Sequence, residues 1–169
     1  MRMSVALVTA VAAITVSASS WAQPLLGPDA AACAGSPAGR GAAAVVTVDG
    51  FKDRQGRLRV QLYGDEPDEF LEKGAKLKRI DVPVTASGPM RVCVGLPAPG
   101  AYAVAVLHDR KANHRLDVMN DGVGFSGNPK LTLAKPKYKS VVFDAAAGLT
   151  PINVVLAYRS GLSVKPIRR

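Results

Sequence analysis

Aromatic rings, histidines and cysteines are scarce in this chain, and each scarcity narrows what the chain can be. Of 169 residues, one is Trp, two are His and two are Cys, and aromatics make up 5%. The only tryptophan, Trp21, falls in an N-terminal leader, so it carries no information about a binding site downstream. Two cysteines leave room for a single bridge. The two histidines, His108 and His114, stand six residues apart, which matches no helical or turn spacing of a transition-metal pair. No segment beyond the leader keeps helical periodicity over more than ten residues, so a helical bundle is not expected. Nor is any later segment apolar over the roughly 20 residues that a spanning helix needs.

The leader itself reads MRMSVALVTAVAAITVSASSWAQ. Arg2 supplies a positive start, Val5 to Val16 an apolar run, and Ser20 and Ala22 the small residues of a cleavage site before Gln23. The expectation is an exported protein, periplasmic or secreted, cleaved after Ala22, with no transmembrane segment remaining. Removing residues 1–22 leaves 147 residues, one domain's worth. It removes Arg2 and no acid, so the net charge goes from +9 to +8. An exported basic protein does not normally meet nucleic acid; the available partners are a protein, a glycan or an anionic envelope surface. In an oxidising compartment, Cys33 and Cys93 are expected to form a disulfide across about 60 residues, worth roughly 4 kcal/mol in loop entropy. A lipid anchor on Cys33 fits poorly, because Ala30 stands where a lipobox wants Leu.

Residues 23–42 are rich in Ala, Gly and Pro without a period and read as an extended lead-in. From residue 43 the chain becomes a series of short alternating runs between turn signals. In RLRVQLY (Arg57–Tyr63), Leu58, Val60 and Leu62 share one face while Arg57, Arg59 and Gln61 share the other. KLKRIDVPV ends near Pro83, which suits an edge strand. AYAVAVLH (Ala101–His108) is apolar on both faces and reads as a central, doubly covered strand. Pro67–Lys73 suits one helical turn, ended by Gly74. SVVFDA and PINVVLAYR supply two more strands, and residues 163–169 form a basic tail. The whole is an all-β fold, an antiparallel β-sandwich of about seven strands spanning residues 43–162, with one long loop after the central strand.

That strand and loop, LPAPGAYAVAVLHD followed by spaced Asn and Asp and then GVGFSGNPK, resemble a family of small exported bacterial proteins known as domain-of-unknown-function family 2141. The resemblance implies a transthyretin-like or prealbumin-like sandwich over about Val45 to Leu162. His108, Asp109, Asn113, Leu116 and Asp117 match its loop pattern; Lys111 stands where an amide is common, and His114 replaces a Gly. The family carries no assigned activity, so the resemblance implies fold and export rather than chemistry.

The loop holds the candidate site residues His108, Asp109, Asn113, Asp117, Ser126 and Asn128. Asp109, Asn113, Asp117 and Asp121 recur every fourth residue. Calcium wants six to eight oxygens, usually at alternating positions, and Lys111 would place a positive charge in the cage. The plainer role for these side chains is to cap turns and take up backbone amides. Ser126 lacks the second Gly of a nucleophile elbow, whose place Asn128 takes, and the chain lacks the strand-to-helix turn such an elbow needs. No cofactor or metal is expected. The reading is a non-catalytic binding or structural module of the envelope with the 107–129 loop as recognition surface. The alternative is a metal-dependent or hydrolytic enzyme using His108, Asp109 and Asp117. Tyr102 after Gly100 suits a corner tyrosine, bonding a nearby backbone group.

Overall fold

The computed structural model describes residues 23–34 and 41–167. The leader at 1–22 and the last two residues of the basic tail lie outside the described residues. Alternating apolar side chains and short turns produce strands β1 (Leu25–Leu26), β2 (Ala43–Asp49), β3 (Arg57–Tyr63), β4 (Lys78–Pro83) and β5 (Met90–Gly95). They continue as β6 (Gly100–Asp109), β7 (Gly122–Phe125), β8 (Val142–Ala145), β9 (Leu149–Val155), β10 (Ala157–Ser160) and β11 (Ser163–Pro166). The order is β1-β5-β2-β9 in one sheet and β11-β10-β7-β6-β3-β4 in the other, with β8 also on β6. The protein is an all-β sandwich.

The faces follow the alternation. Val46, Val48, Val92 and Val94 of the first sheet meet Leu58, Val60, Val104, Val106 and Tyr158 of the second in one buried cluster. β6 is the hub. β3 pairs along one side of it from Tyr63 opposite Ala103 to Arg57 opposite Asp109. On its other side β8 takes the first half, Gly100 to Ala103, and β7 the second, Ala105 to His108. Its outer face is covered too. Ala103 and Ala105 pack in a second cluster with Tyr63, Phe70, Phe125 and Val141, under a 3-10 turn at Pro67–Glu69 and the crossing segment before β8. Both faces of β6 are therefore buried, as its unbroken apolar run requires. β4, with Pro83 at its end, is an edge strand. The Tyr102 hydroxyl donates to the Ala98 carbonyl at 2.8 Å, closing the corner.

Cys33 and Cys93 are bridged, with Cα atoms 5.9 Å apart. The bridge fastens a short helix, Ala30–Cys33, to β5, and β1 adds to the edge of that strand in parallel. Residues 23–34 of the lead-in are thus fastened to the sheet beside the disulfide.

Besides the short helix in a lead-in read as extended, and the division of Pro151–Arg159 between β9 of one sheet and β10 of the other, the chain departs from the sequence reading in three places. β7 lies inside the stretch read as loop: Gly122 and Gly124 have little strand propensity, but a Cβ at either would collide with Tyr158 or Val154, so glycine lets the strand press onto the core. Residues 163–166 of the basic tail form β11, held by pairing with β10. And β2 pairs β9 in parallel, within a fold that is otherwise mostly antiparallel. Short strands such as these raise the count from about seven to eleven among the described residues.

Candidate functional site

The segment between β6 and β7, residues 110–121, is a tightly self-bonded loop. Asp109, buried at the end of β6, accepts the N–H groups of Asn113 (3.1 Å) and His114 (2.7 Å), one on each carboxylate oxygen. Asp121, buried at the far end, accepts the N–H groups of Arg110 (3.1 Å) and Asp117 (2.8 Å). Asn113 accepts from Arg115 N–H at 2.9 Å. Asp117 accepts from Met119 N–H, from the Asn120 amide and from Lys111 Nζ. Those donors, the Asn120 amide foremost, hold its carboxyl down at about 2. The every-fourth spacing of acids and amides is therefore the spacing of a loop whose side chains take up its own backbone donors. Among the described residues, no three His, Cys, Asp or Glu side chains converge as a metal ion would need.

His108 and Asp109 are not brought together with Asp117. Alternation along β6 turns the His108 side chain into the core, where it is fully buried. Its Nε2 lies 2.8 Å from the Gln55 carbonyl, which can only accept, so Nε2 carries the proton. Nδ1 then accepts from the Tyr158 hydroxyl at 2.6 Å, and that hydroxyl oxygen accepts Lys52 N–H at 3.1 Å. Phe51 packs edge-on against the ring. Burial pushes the imidazole below its usual value, against the weaker opposing pull of the Gln55 carbonyl and the Asp53 charge. Burial also raises the Tyr158 phenol to about 12, although the Lys52 N–H works the other way. Asp53 is itself clamped by Arg110, Nη2 to Oδ2 at 2.5 Å. Neither Asp53 nor Tyr158 stood out in the sequence as a partner of His108, because Asp53 lies in the β2–β3 connection and Tyr158 on β10, both far from His108 along the chain.

Ser126 is fully buried. Its Oγ accepts Val104 N–H at 2.9 Å and donates to the Val141 carbonyl, bridging β6 to the segment that enters β8. Asn128 works as an edge plug: its amide donates to the Asn153 carbonyl (2.9 Å) and accepts Val155 N–H (2.8 Å) from β9, the outer strand of the first sheet. His114, exposed at the loop tip, has φ +63°, the left-handed conformation that favours glycine. Its Nδ1 faces guanidinium nitrogens of Arg59 (3.3 Å) and Arg79 (3.2 Å), both anchored on Asp81.

With Asp109 and Asp121 buried, the loop turns apolar groups out. Leu116, Val118 and Met119 are 55%, 55% and 62% exposed. Leu116 and Val118 wall a cleft of about 320 Å³ with Val123 and Phe125 of β7 and with Leu131 and Leu133 of the next crossing segment. An adjoining cleft of about 340 Å³ shares Phe125, Leu131, Ala157 and Val164 with it, and its rim carries Asn128, Lys130, Ser163 and Lys165. Among the described residues Asp121 is the sole acid lining either cleft, and both its oxygens are already engaged. Sequence reasoning passed over these apolar residues while following the polar ones. The signal was there: Leu116, Val118 and Met119 are costly to leave in a solvent-facing polar loop without a reason.

No curated protein matches this chain, and no solved structure does. A family model does match, over residues 46–153: an uncharacterized protein conserved in bacteria, DUF2141. The matched stretch runs from β2 to within β9 and takes in the whole loop with its inward-facing acids and its apolar outer side. The chain belongs to this DUF2141 family.

Proposed function

We propose that this protein is an exported, non-catalytic binding module of the cell envelope, released by cleavage after Ala22 into the periplasm or beyond. Its recognition surface is the apolar side of the 107–129 loop. One observation carries the reading: the loop's carboxylates and amides are bonded to its own backbone, while its leucine and valine side chains line an open cleft. A ligand pocket is usually concave, mostly apolar and largely preformed, with volumes of roughly 300–1,000 Å³.

The test is a pull-down from native envelope extract, with the wild-type protein and a Leu116→Asp/Leu133→Asp variant as baits. Both side chains are more than half exposed, so the variant keeps its fold. Replacing the entire 107–129 stretch would remove β7 and unfold the sheet. The reading expects the variant to lose the wild-type's partners. Identical recovery by the two baits would refute it.

A further inference from the structure

We infer that the cleft takes a single-chain amphiphile with an anionic head group, of the fatty-acid class, bound as a monomer. The inference rests on the recognition surface proposed above and names its ligand.

Two adjoining cavities of different character support it. The first is lined almost wholly by aliphatic and aromatic carbon: Leu71, Leu116, Val118, Val123, Phe125 and Leu131. Such a wall offers an alkyl chain burial along most of its length, with few polar side chains beside it: Asp121, Thr132, Lys135 and Arg159. The second adjoins it through Phe125, Leu131, Ala157 and Val164, and is lined also by Lys130 and Lys165, both exposed. Among the described residues neither lysine forms an ion pair. Two lysines without an ion pair thus lie on the second cavity, next to the apolar wall of the first. The amphiphile fits them with its chain along β7 and its head at the lysines. At the first cleft Lys135 is paired with Glu72 at 2.8 Å, which leaves Arg159, its Nε donating to the Gly161 carbonyl at 2.9 Å, as a single cation there against two at the second. The apolar surface is recessed between loop and strands, which suits one chain and not the plane of a bilayer.

The test is calorimetric titration of the oxidised protein with dodecanoate below its micelle concentration, with dodecanol, and with vesicles of phosphatidylcholine and phosphatidylglycerol in equal parts. The expected result is saturable binding of one dodecanoate per chain. Lys130→Glu/Lys165→Glu weakens dodecanoate roughly tenfold and leaves dodecanol unchanged. Leu116→Asp/Leu133→Asp weakens both, with the unfolding midpoint of each variant at the wild-type value. Absence of saturable dodecanoate binding overturns the inference, as does equal binding by the lysine variant, or binding to vesicles alone. The two proposals can fail separately. If dodecanoate does not bind but the leucine variant still loses its envelope partners, the ligand class is wrong and the recognition surface stands. If the leucine variant keeps every partner, the surface itself is wrong.

Discussion

His108 and Asp109 are adjacent in sequence and serve opposite faces of one strand. The imidazole lies inside the sandwich, 2.6 Å from the Tyr158 hydroxyl, while the Asp109 carboxylate turns to the loop and takes His114 N–H at 2.7 Å. Two residues grouped in the sequence with Asp117, as those of a metal-dependent or hydrolytic enzyme, are divided between the core and the loop by the period of two in a β-strand.

The buried histidine makes stability depend on pH. Its folded-state value is depressed, so near pH 6 the unfolded chain binds a proton that the folded chain does not. The contribution is fully present above the unfolded value of about 6.5 and is lost as pH falls towards the folded value. Urea unfolding between about pH 7.5 and 5 should show stability declining below about 6.5, with a slope of at most about 1.4 kcal/mol per pH unit for one proton. His108→Gln should be less stable at neutral pH and lack that slope. An unchanged slope in the variant would assign it to another group.

Ser126→Ala leaves the Val104 N–H inside the protein without its acceptor. A buried donor stripped of its partner costs about 1–3 kcal/mol, readable in the denaturant midpoint. A loss within experimental error would mean that the hydroxyl does not tie β6 to the 141 segment.

His114 occupies a left-handed position and contacts two arginines. Ala at this site loses the contacts and keeps the strain; Gly loses the contacts and removes the strain. His114→Gly should therefore be more stable than His114→Ala by about 1 kcal/mol in chemical unfolding. The reverse order would show that the loop relaxes out of the left-handed conformation.

These three sites also show what the sequence could and could not convey. The central strand, the edge role of Pro83, the Cys33–Cys93 bridge and the corner bond of Tyr102 each follow from a local signal: a period, a missing N–H, an even count of cysteines, a residue two places after a Gly. β7 stayed hidden because two of its four residues are glycines, chosen for close approach rather than for strand propensity. The parallel pairing of β2 with β9 stayed hidden because alternation fixes a face and not a neighbour. In the loop, composition was legible and direction was not. Acids and amides look like ligands until their backbone partners are known, and only the fold shows that Leu116 and Leu133 share a cleft.

Cutting the bridge tests how the N-terminal segment is held. Cys93→Ser should destabilise the protein by about 4 kcal/mol on the loop-entropy estimate for a span of this length. The loss of amide exchange protection should be greatest in Leu25–Cys33, because β1 and the short helix meet the domain at β5 beside the bridge. Full protection of Leu25–Cys33 in the reduced form would mean that β1 pairing alone suffices.

The central claim is that the loop spends its polar side chains on its own backbone and offers its apolar ones to a ligand. The most direct measurement is a map of amide chemical-shift changes on titration with dodecanoate. The account predicts changes concentrated at Leu116, Val118, Val123, Leu131, Leu133 and Val164, with the largest polar responses at Lys130 and Lys165. Changes centred on Asp53, Gln55, His108 and Asp109, with the cleft silent, would contradict it.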